Sequence, residues 1–73
     1  MTKLTSYQRV ADALLRTKGT DLERFILDQV EAGESYDAIT RTLRDLTDGA
    51  VEVTSEAVRK WHRQFTSDRA GAA

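Results

Sequence analysis

Four segments of this chain carry apolar residues at helical spacing, and glycine or short polar residues separate the segments. Thr5 and Gln8 have the spacing of a capping box and predict the start of a first helix. Thr20 and Glu23 repeat that spacing before a second stripe, which closes at Gly33 in the position typical of a helix C-terminus. The apolar stripes of these two helices are Tyr7, Val10, Ala11, Leu14 and Leu15, and then Leu22, Phe25, Ile26 and Val30.

The second half of the chain predicts two further helices. Ser35 is a suitable N-cap for a third helix that ends near Gly49. Thr54 is the expected N-cap of a fourth helix, which we expect to end at Phe65. Trp61 lies at the centre of the fourth stripe and is therefore expected in the core. The two stripes are Tyr36, Ile39, Leu43 and Leu46, and then Val58, Trp61 and Phe65.

Helices of about three turns do not persist alone in water, so these four are expected to bury their stripes against one another. The predicted fold is all-α, a compact four-helix bundle. We expect one domain over residues 1–65 and a flexible C-terminal tail over residues 66–73, which lack apolar periodicity. Residues 50–53 alternate between apolar and polar but have no partner strand, so we expect a connecting loop whose Val53 enters the core.

Composition narrows the classes of protein that remain. The 73 residues include no cysteine, so neither disulfides nor thiolate metal sites can reinforce the small core. Secreted domains of this size usually need such reinforcement, and we therefore expect a cytoplasmic protein. No apolar run approaches the roughly 18 residues of a membrane span, and residues 1–5 do not resemble a signal peptide. We expect no membrane association.

Charge is distributed unevenly along the chain. The net charge is −1, which by itself argues mildly against binding to nucleic acid. The acidic residues are concentrated in residues 20–37, however, whereas basic residues prevail in residues 1–19 and 54–73. Such asymmetry is compatible with one side of the protein that faces DNA and another side that does not.

Catalysis and metal binding are not expected. His62 is the only histidine, and it has neither a cysteine nor a carboxylate partner by spacing, so we expect a partly exposed helix residue or a phosphate contact rather than a catalytic base. No catalytic residue, cofactor or small-molecule substrate is predicted. Residues 45–49 lack the alternating acidic positions of a calcium loop. The remaining acidic group straddles Gly33 and is expected to be a solvated face rather than a metal site. Its members are Asp28, Glu31, Glu34 and Asp37.

The fourth helix has an outer face of short polar and basic residues opposite its apolar stripe. Such a face suits insertion into the major groove of DNA. As a hypothesis, Arg59 or Arg63 contacts a guanine through two hydrogen bonds, and Glu56 accepts one from a cytosine amino group. A plain amphipathic helix with surface pairs of glutamate with lysine and with arginine, Glu56 to Lys60 among them, would carry the same pattern. The base-facing candidates are Ser55, Glu56, Arg59, Lys60 and Arg63.

The order of the last two helices is that of a helix-turn-helix, with a first helix, a turn containing glycine, and a second helix that enters the groove. Over residues 35–65 the chain resembles the small helix-turn-helix DNA-binding proteins of actinobacteria and their phages. The matching segments are residues 35–43, 47–49 and 53–61. Thr40 replaces the usual small alanine, and the segment between Leu43 and Val58 is longer than in a compact repressor-type motif.

The resemblance implies a sequence-specific partner of double-stranded DNA, either a transcriptional regulator or a phage accessory DNA-binding factor. A single helix reads few bases, so a homodimer is expected. The alternative is a protein-interaction module that binds a basic partner through its acidic second helix. In the DNA-binding interpretation, the phosphate contacts would come from the third helix and its cap. These candidates are Ser35, Tyr36, Arg41 and Arg44.

Overall fold

The computed structural model describes residues 4–71, with side chains as far as residue 67, and the chain is entirely helical apart from turns and loops within that range. The predicted all-α fold of four helices is therefore confirmed. The radius of gyration of 11.4 Å is close to the roughly 11 Å expected for a compact chain of this length. The helices are α1 (Ser6–Arg16), α2 (Leu22–Glu31), α3 (Tyr36–Leu46) and α4 (Ser55–Gly71).

Three of the predicted helix starts are confirmed by the hydrogen bonds of their caps. The Thr5 hydroxyl accepts from the Gln8 amide at 3.2 Å, and the Gln8 side chain accepts from the Thr5 amide at 2.9 Å. The Ser35 and Thr54 hydroxyls each accept from the backbone amide three residues further on, at 3.1 and 3.2 Å. Each bond satisfies an amide that has no partner inside its helix.

The predicted start of α2 is wrong by one residue. Its N-cap is Asp21, whose carboxylate accepts from the Arg24 amide at 2.8 Å. Thr20 instead belongs to the end of α1, because its amide donates to the Leu15 carbonyl at 3.2 Å, across the left-handed Gly19 (φ +84°). This is the arrangement of a Schellman ending, which leaves the next residue to start the following helix.

Ten apolar side chains form one buried core, and α4 contributes to it differently from the prediction. Val58 and Phe65 are fully buried, whereas Trp61 is only partly buried and packs at the edge of the core. At 3.6 residues per turn, Trp61 is rotated by about 60° from Val58, while Phe65 is rotated by only about 20°. The core consists of Ala11, Leu15, Leu22, Phe25, Ile26, Ile39, Leu43, Val51, Val58 and Phe65.

The loop between α3 and α4 is anchored by several internal contacts. Val51 is fully buried and occupies the position predicted for Val53, which is only partly buried. The buried Thr47 hydroxyl donates to the Leu43 carbonyl at 2.9 Å and accepts from the Val51 amide at 3.1 Å. The Tyr7 hydroxyl of α1 also bonds the loop backbone. The loop is therefore held from inside and from a neighbouring helix.

The last helix continues beyond its predicted end at Phe65 and reaches Gly71. Once a helix is nucleated, each added residue gains a backbone bond at the cost of ordering one residue, so an apolar stripe is not needed for continuation. The predicted tail over residues 66–73 is therefore helical as far as residue 71. Residues 72–73, like residues 1–3 of the predicted domain, lie outside the described residues. None of the helices within residues 4–71 combines the length and the apolar character needed to cross a membrane.

Candidate nucleic-acid interface

The outer face of α4 lies opposite the buried side of that helix. Val58 and Phe65 point into the core, where α4 packs against α2 and α3. Four of the five predicted base-facing residues are exposed, and Ser55 is partly buried at the first turn. We use the term outer face for these five residues. They are Ser55, Glu56, Arg59, Lys60 and Arg63.

An ion pair occupies part of this outer face. The Arg59 guanidinium donates through Nη2 to Glu56 Oε1 at 2.6 Å, with about half of each side chain exposed to solvent. The hydrogen bond from Arg59 and the positive charge of Arg59 lower the pKa of Glu56. The same hydrogen bond and the negative charge of Glu56 raise the pKa of Arg59. The plain amphipathic helix predicts surface pairs of glutamate with lysine and with arginine, and the structure forms one with arginine, Glu56–Arg59, rather than the pair between Glu56 and Lys60. Arg59 therefore has one N–H group engaged before any ligand arrives.

Two adjoining grooves run between α4 and the start of α3, and both are lined by Tyr36 and Arg59. The smaller one, here the N-terminal groove, has a volume of about 240 Å³. The larger one, here the C-terminal groove, has a volume of about 490 Å³. The N-terminal groove is lined by Ser35, Tyr36, Asp37, Ser55, Glu56 and Arg59. The C-terminal groove is lined by Tyr36, Arg59, His62, Arg63, Thr66 and Ser67.

A hydrogen bond joins the two helices beside these grooves. The Tyr36 hydroxyl lies 3.1 Å from His62 Nδ1. The two rings have a centroid separation of 6.0 Å and are tilted by 47°. Both side chains are partly buried, so the bond holds the first turn of α3 against the middle of α4 while leaving both rings in contact with solvent.

The predicted phosphate-binding residues separate into two pairs. Ser35 and Tyr36 lie next to the outer face of α4 and line its grooves. Arg41 and Arg44 are exposed on α3, and neither residue lines either groove. The structure therefore places the start of α3 beside the outer face of α4, whereas Arg41 and Arg44 do not line its grooves.

Four groove residues belong to neither the predicted base-facing set nor the predicted phosphate-binding set, and they are Asp37, His62, Thr66 and Ser67. Thr66 and Ser67 lie in the segment predicted as a tail, and they reach the C-terminal groove because α4 continues past Phe65. Their spacing from Arg63 was a usable signal, since residues three and four positions apart share a helix face. Asp37 lines the N-terminal groove, but nothing in its local sequence context distinguished it from other exposed carboxylates.

The chemistry of this surface is that of hydrogen bonding and charge. Among the side chains that the structure describes, those of residues 4–67, no group of three or more histidine, aspartate or glutamate residues is placed to hold a metal ion. The C-terminal groove combines guanidinium, hydroxyl, phenol and imidazole groups, which recognise anions and polar base edges. The N-terminal groove also contains the carboxylates of Asp37 and Glu56. Comparison of the chain with protein-family models, with curated proteins and with solved structures gives no match.

Proposed function

We propose that this protein binds double-stranded DNA sequence-specifically, with α4 in the major groove and α3 crossing the backbone as in a helix-turn-helix. The observation that carries the proposal is the outer face of α4. It exposes Arg59, Lys60 and Arg63 on one helix whose opposite side is buried, beside the first turn of the preceding helix. Guanidinium and ammonium groups are the commonest side-chain partners of guanine, and they also neutralise phosphates.

The dimensions of α4 support this role. Its 17 residues give a length of about 25 Å, and a helix with side chains is about 10–12 Å wide. The major groove of B-form DNA is about 12 Å wide and admits one such helix. Because Val58 and Phe65 hold the inner side of α4 in the core, the helix would enter the groove as a rigid element.

The start of α3 offers the contacts that would position α4. Ser35 and Tyr36 lie beside the grooves, and backbone amides at a helix start favour phosphate oxygens. The anchored loop between α3 and α4 is longer than a tight turn, but Thr47 and Val51 fix its path. A fixed path keeps the angle between the two helices defined, as reading of base edges requires.

The biological role that follows is that of a transcriptional regulator or a phage accessory DNA-binding factor. One recognition helix contacts only a few base pairs and discriminates weakly between sequences. We therefore propose that two copies act together on a two-fold site, with one α4 in each half-site.

A second candidate is the protein-interaction module that binds a basic partner through α2. The observation that favours it is the exposure of three carboxylates, Asp28, Glu31 and Glu34, at the end of α2 and beyond it. Asp21 contributes less than its charge suggests, because its carboxylate caps α2. In this alternative the basic face of α4 would be dispensable, and charge reversal at Asp28 and Glu31 would abolish binding.

The two candidates are separated by titrating random-sequence duplex DNA by fluorescence anisotropy, from low to physiological salt. The test variant replaces Arg59, Lys60 and Arg63 with alanine. The matched control replaces three exposed cations of α1, α2 and the turn between them, Arg9, Lys18 and Arg24, and so removes the same charge.

The proposal expects salt-sensitive binding that the test variant loses, while the control variant retains most of it and both keep their helical circular dichroism. If about five phosphates are neutralised, the log–log salt slope is about −4 to −5. If the control variant loses binding and the test variant keeps it, DNA binds to a surface other than the outer face of α4. No binding by the wild type at low salt would favour the protein partner.

A further inference from the structure

The C-terminal groove is lined by groups that donate hydrogen bonds or carry positive charge. Arg59 and Arg63 supply guanidinium N–H groups, and Thr66 and Ser67 supply hydroxyls. No carboxylate is among the described side chains that line it, in contrast to the N-terminal groove, which contains Glu56 and Asp37. Donors without opposing carboxylates are the chemistry that phosphate groups select.

Arg63 is the cation in this groove that is available to a ligand. Arg59 already donates to Glu56 at 2.6 Å, so part of its fork is engaged. Arg63 is exposed and forms no ion pair with any side chain that the structure describes. It can therefore present adjacent N–H groups to two oxygens of one anion, the geometry in which arginine binds phosphate.

The bond between Tyr36 and His62 adds one more donor whichever group provides its hydrogen. If the Tyr36 hydroxyl donates to Nδ1 of a neutral imidazole, the ring carries its hydrogen on Nε2 and can donate from there. If Nδ1 donates to the phenol oxygen instead, the phenol hydrogen remains to be donated. In both arrangements one N–H or O–H group of the pair remains free to donate to a ligand.

We propose that the C-terminal groove is a phosphate-binding site. The inference rests on the proposed function in one respect, namely that the phosphate is a phosphodiester of the DNA backbone. The groove lies between α4 and the first turn of α3, and in a helix-turn-helix the helix preceding the recognition helix is the one that crosses the backbone. Arg63 then positions the protein rather than reading a base, and His62, Thr66 and Ser67 join the interface.

The site is tested first with inorganic phosphate and ¹⁵N-labelled protein by NMR, with chloride at equal ionic strength as the reference titration. The site predicts saturable shifts at groove residues that phosphate causes and chloride does not. Arg63→Gln should remove these shifts, whereas Lys60→Gln should keep them, because Lys60 carries the same charge on the same helix but does not line the groove. Both positions are exposed, and glutamine is a good helix former, so both variants should fold.

DNA binding then distinguishes a backbone contact from a base contact. Loss of a phosphate contact weakens binding to unrelated sequences by the same factor and reduces the salt slope by about 0.9. We expect this uniform loss for Arg63→Gln, measured by anisotropy on several duplexes of different sequence. Tyr36→Phe and His62→Gln should also weaken all duplexes alike, without changing the slope as much. A loss by Arg63→Gln that differs strongly between duplexes would overturn the assignment.

The two titrations together separate failure of the site from failure of the proposed function. DNA binding without phosphate shifts at the groove would overturn the site and leave the proposed function intact. Groove shifts with phosphate in a protein that does not bind DNA would support the site and make a small phosphorylated molecule its occupant. Phosphate shifts that spread over the whole basic surface, or that chloride reproduces, would likewise overturn the site.

Discussion

The Tyr7 hydroxyl of α1 bonds both backbone groups of Glu52, accepting from its amide at 2.8 Å and donating to its carbonyl at 3.0 Å. These bonds join positions 45 residues apart and tie the first helix to the loop that leads into α4. The placement of α4 relative to α3 therefore depends on a side chain outside both helices. A residue at the opposite end of the chain takes part in shaping the proposed DNA-binding surface.

Tyr7→Phe keeps the ring and removes both bonds. Because Tyr7 and Glu52 are exposed, water can replace the lost partners, and we expect a loss of roughly 0.5–1.5 kcal/mol in the free energy of unfolding. Hydrogen exchange of the Glu52 amide should accelerate by more than the loss in free energy of unfolding accounts for. Exchange of the Ala11 amide in α1 should accelerate only as much as that loss accounts for. An unchanged rate at Glu52 would show that the loop does not need Tyr7.

Phe65, rather than Trp61, should be the larger contributor of α4 to stability. Phe65 is fully buried, and Phe65→Ala is expected to lower the free energy of unfolding by about 3–5 kcal/mol. Trp61 is only partly buried, so Trp61→Ala should lower it by less. Urea titrations followed by circular dichroism compare both variants, since fluorescence would be lost with Trp61. If Phe65→Ala does not fold at all while Trp61→Ala does, the ranking is the same. A larger loss for Trp61→Ala would contradict it.

Thr47→Val should destabilise the loop between α3 and α4 from inside. The substitution preserves the shape of the side chain but leaves the Val51 amide without its acceptor in a buried position, which typically costs about 1–3 kcal/mol. Thr47→Ser retains the hydroxyl and serves as the control, with a smaller expected loss. Equal free energies of unfolding for the two variants, measured in urea, would mean that the hydroxyl is not what holds the loop.

Glu56→Gln should strengthen binding to random-sequence DNA. The change removes a negative charge from the outer face and releases Arg59, and an exposed charge interaction of this kind alters affinity by roughly 1.5- to 5-fold. Glu31→Gln removes the same charge from the end of α2 and should leave anisotropy titrations nearly unchanged. Weaker binding by Glu56→Gln on random DNA would show that this carboxylate contributes to DNA binding rather than opposing it.

The effect of Glu56→Gln should persist in mild acid. Arg59 lowers the pKa of Glu56 below its ordinary value of 4.5, so the carboxylate stays ionised as the pH falls through the usual range of glutamate. A depressed pKa means that the ion pair is present above the ordinary value and is lost only as the pH falls through the lowered one. At about pH 4.5, where a glutamate with its ordinary pKa would be half protonated, the affinity ratio of variant to wild type should therefore stay close to the ratio at neutral pH. A ratio that has moved about halfway toward one at this pH would contradict the lowered pKa.

Local chemistry explains how much of the fold could be predicted from the sequence. The caps at Thr5, Ser35 and Thr54 involve residues three positions apart, so their spacing is visible in the sequence. The start of α2 differs from the prediction because Thr20 has the spacing of a cap, but its amide is hydrogen-bonded to the end of α1. Trp61 is less buried than Phe65 because of the way α4 is rotated against α2 and α3. An apolar stripe alone does not specify that rotation.

The candidate site was predictable in part for the same reason. Helical periodicity identifies the exposed residues of α4, because residues on one face recur at fixed spacing. The contact between Tyr36 and His62 joins residues 26 positions apart, and it exists only once α3 and α4 are packed. The extension of the site to Thr66 and Ser67 does not follow from the apolar stripe, because the stripe ends at Phe65 whereas the helix continues to Gly71.

The most direct test of DNA recognition by α4 is an NMR titration of ¹⁵N-labelled wild-type protein with a short random-sequence duplex at low salt. The proposed function predicts that the largest amide shifts map to residues 55–63 of α4 and to the start of α3 at Ser35 and Tyr36, while residues 28–34 of the acidic segment change little. No shifts at any DNA concentration, or shifts centred on the acidic segment, would contradict the proposal that α4 contacts DNA.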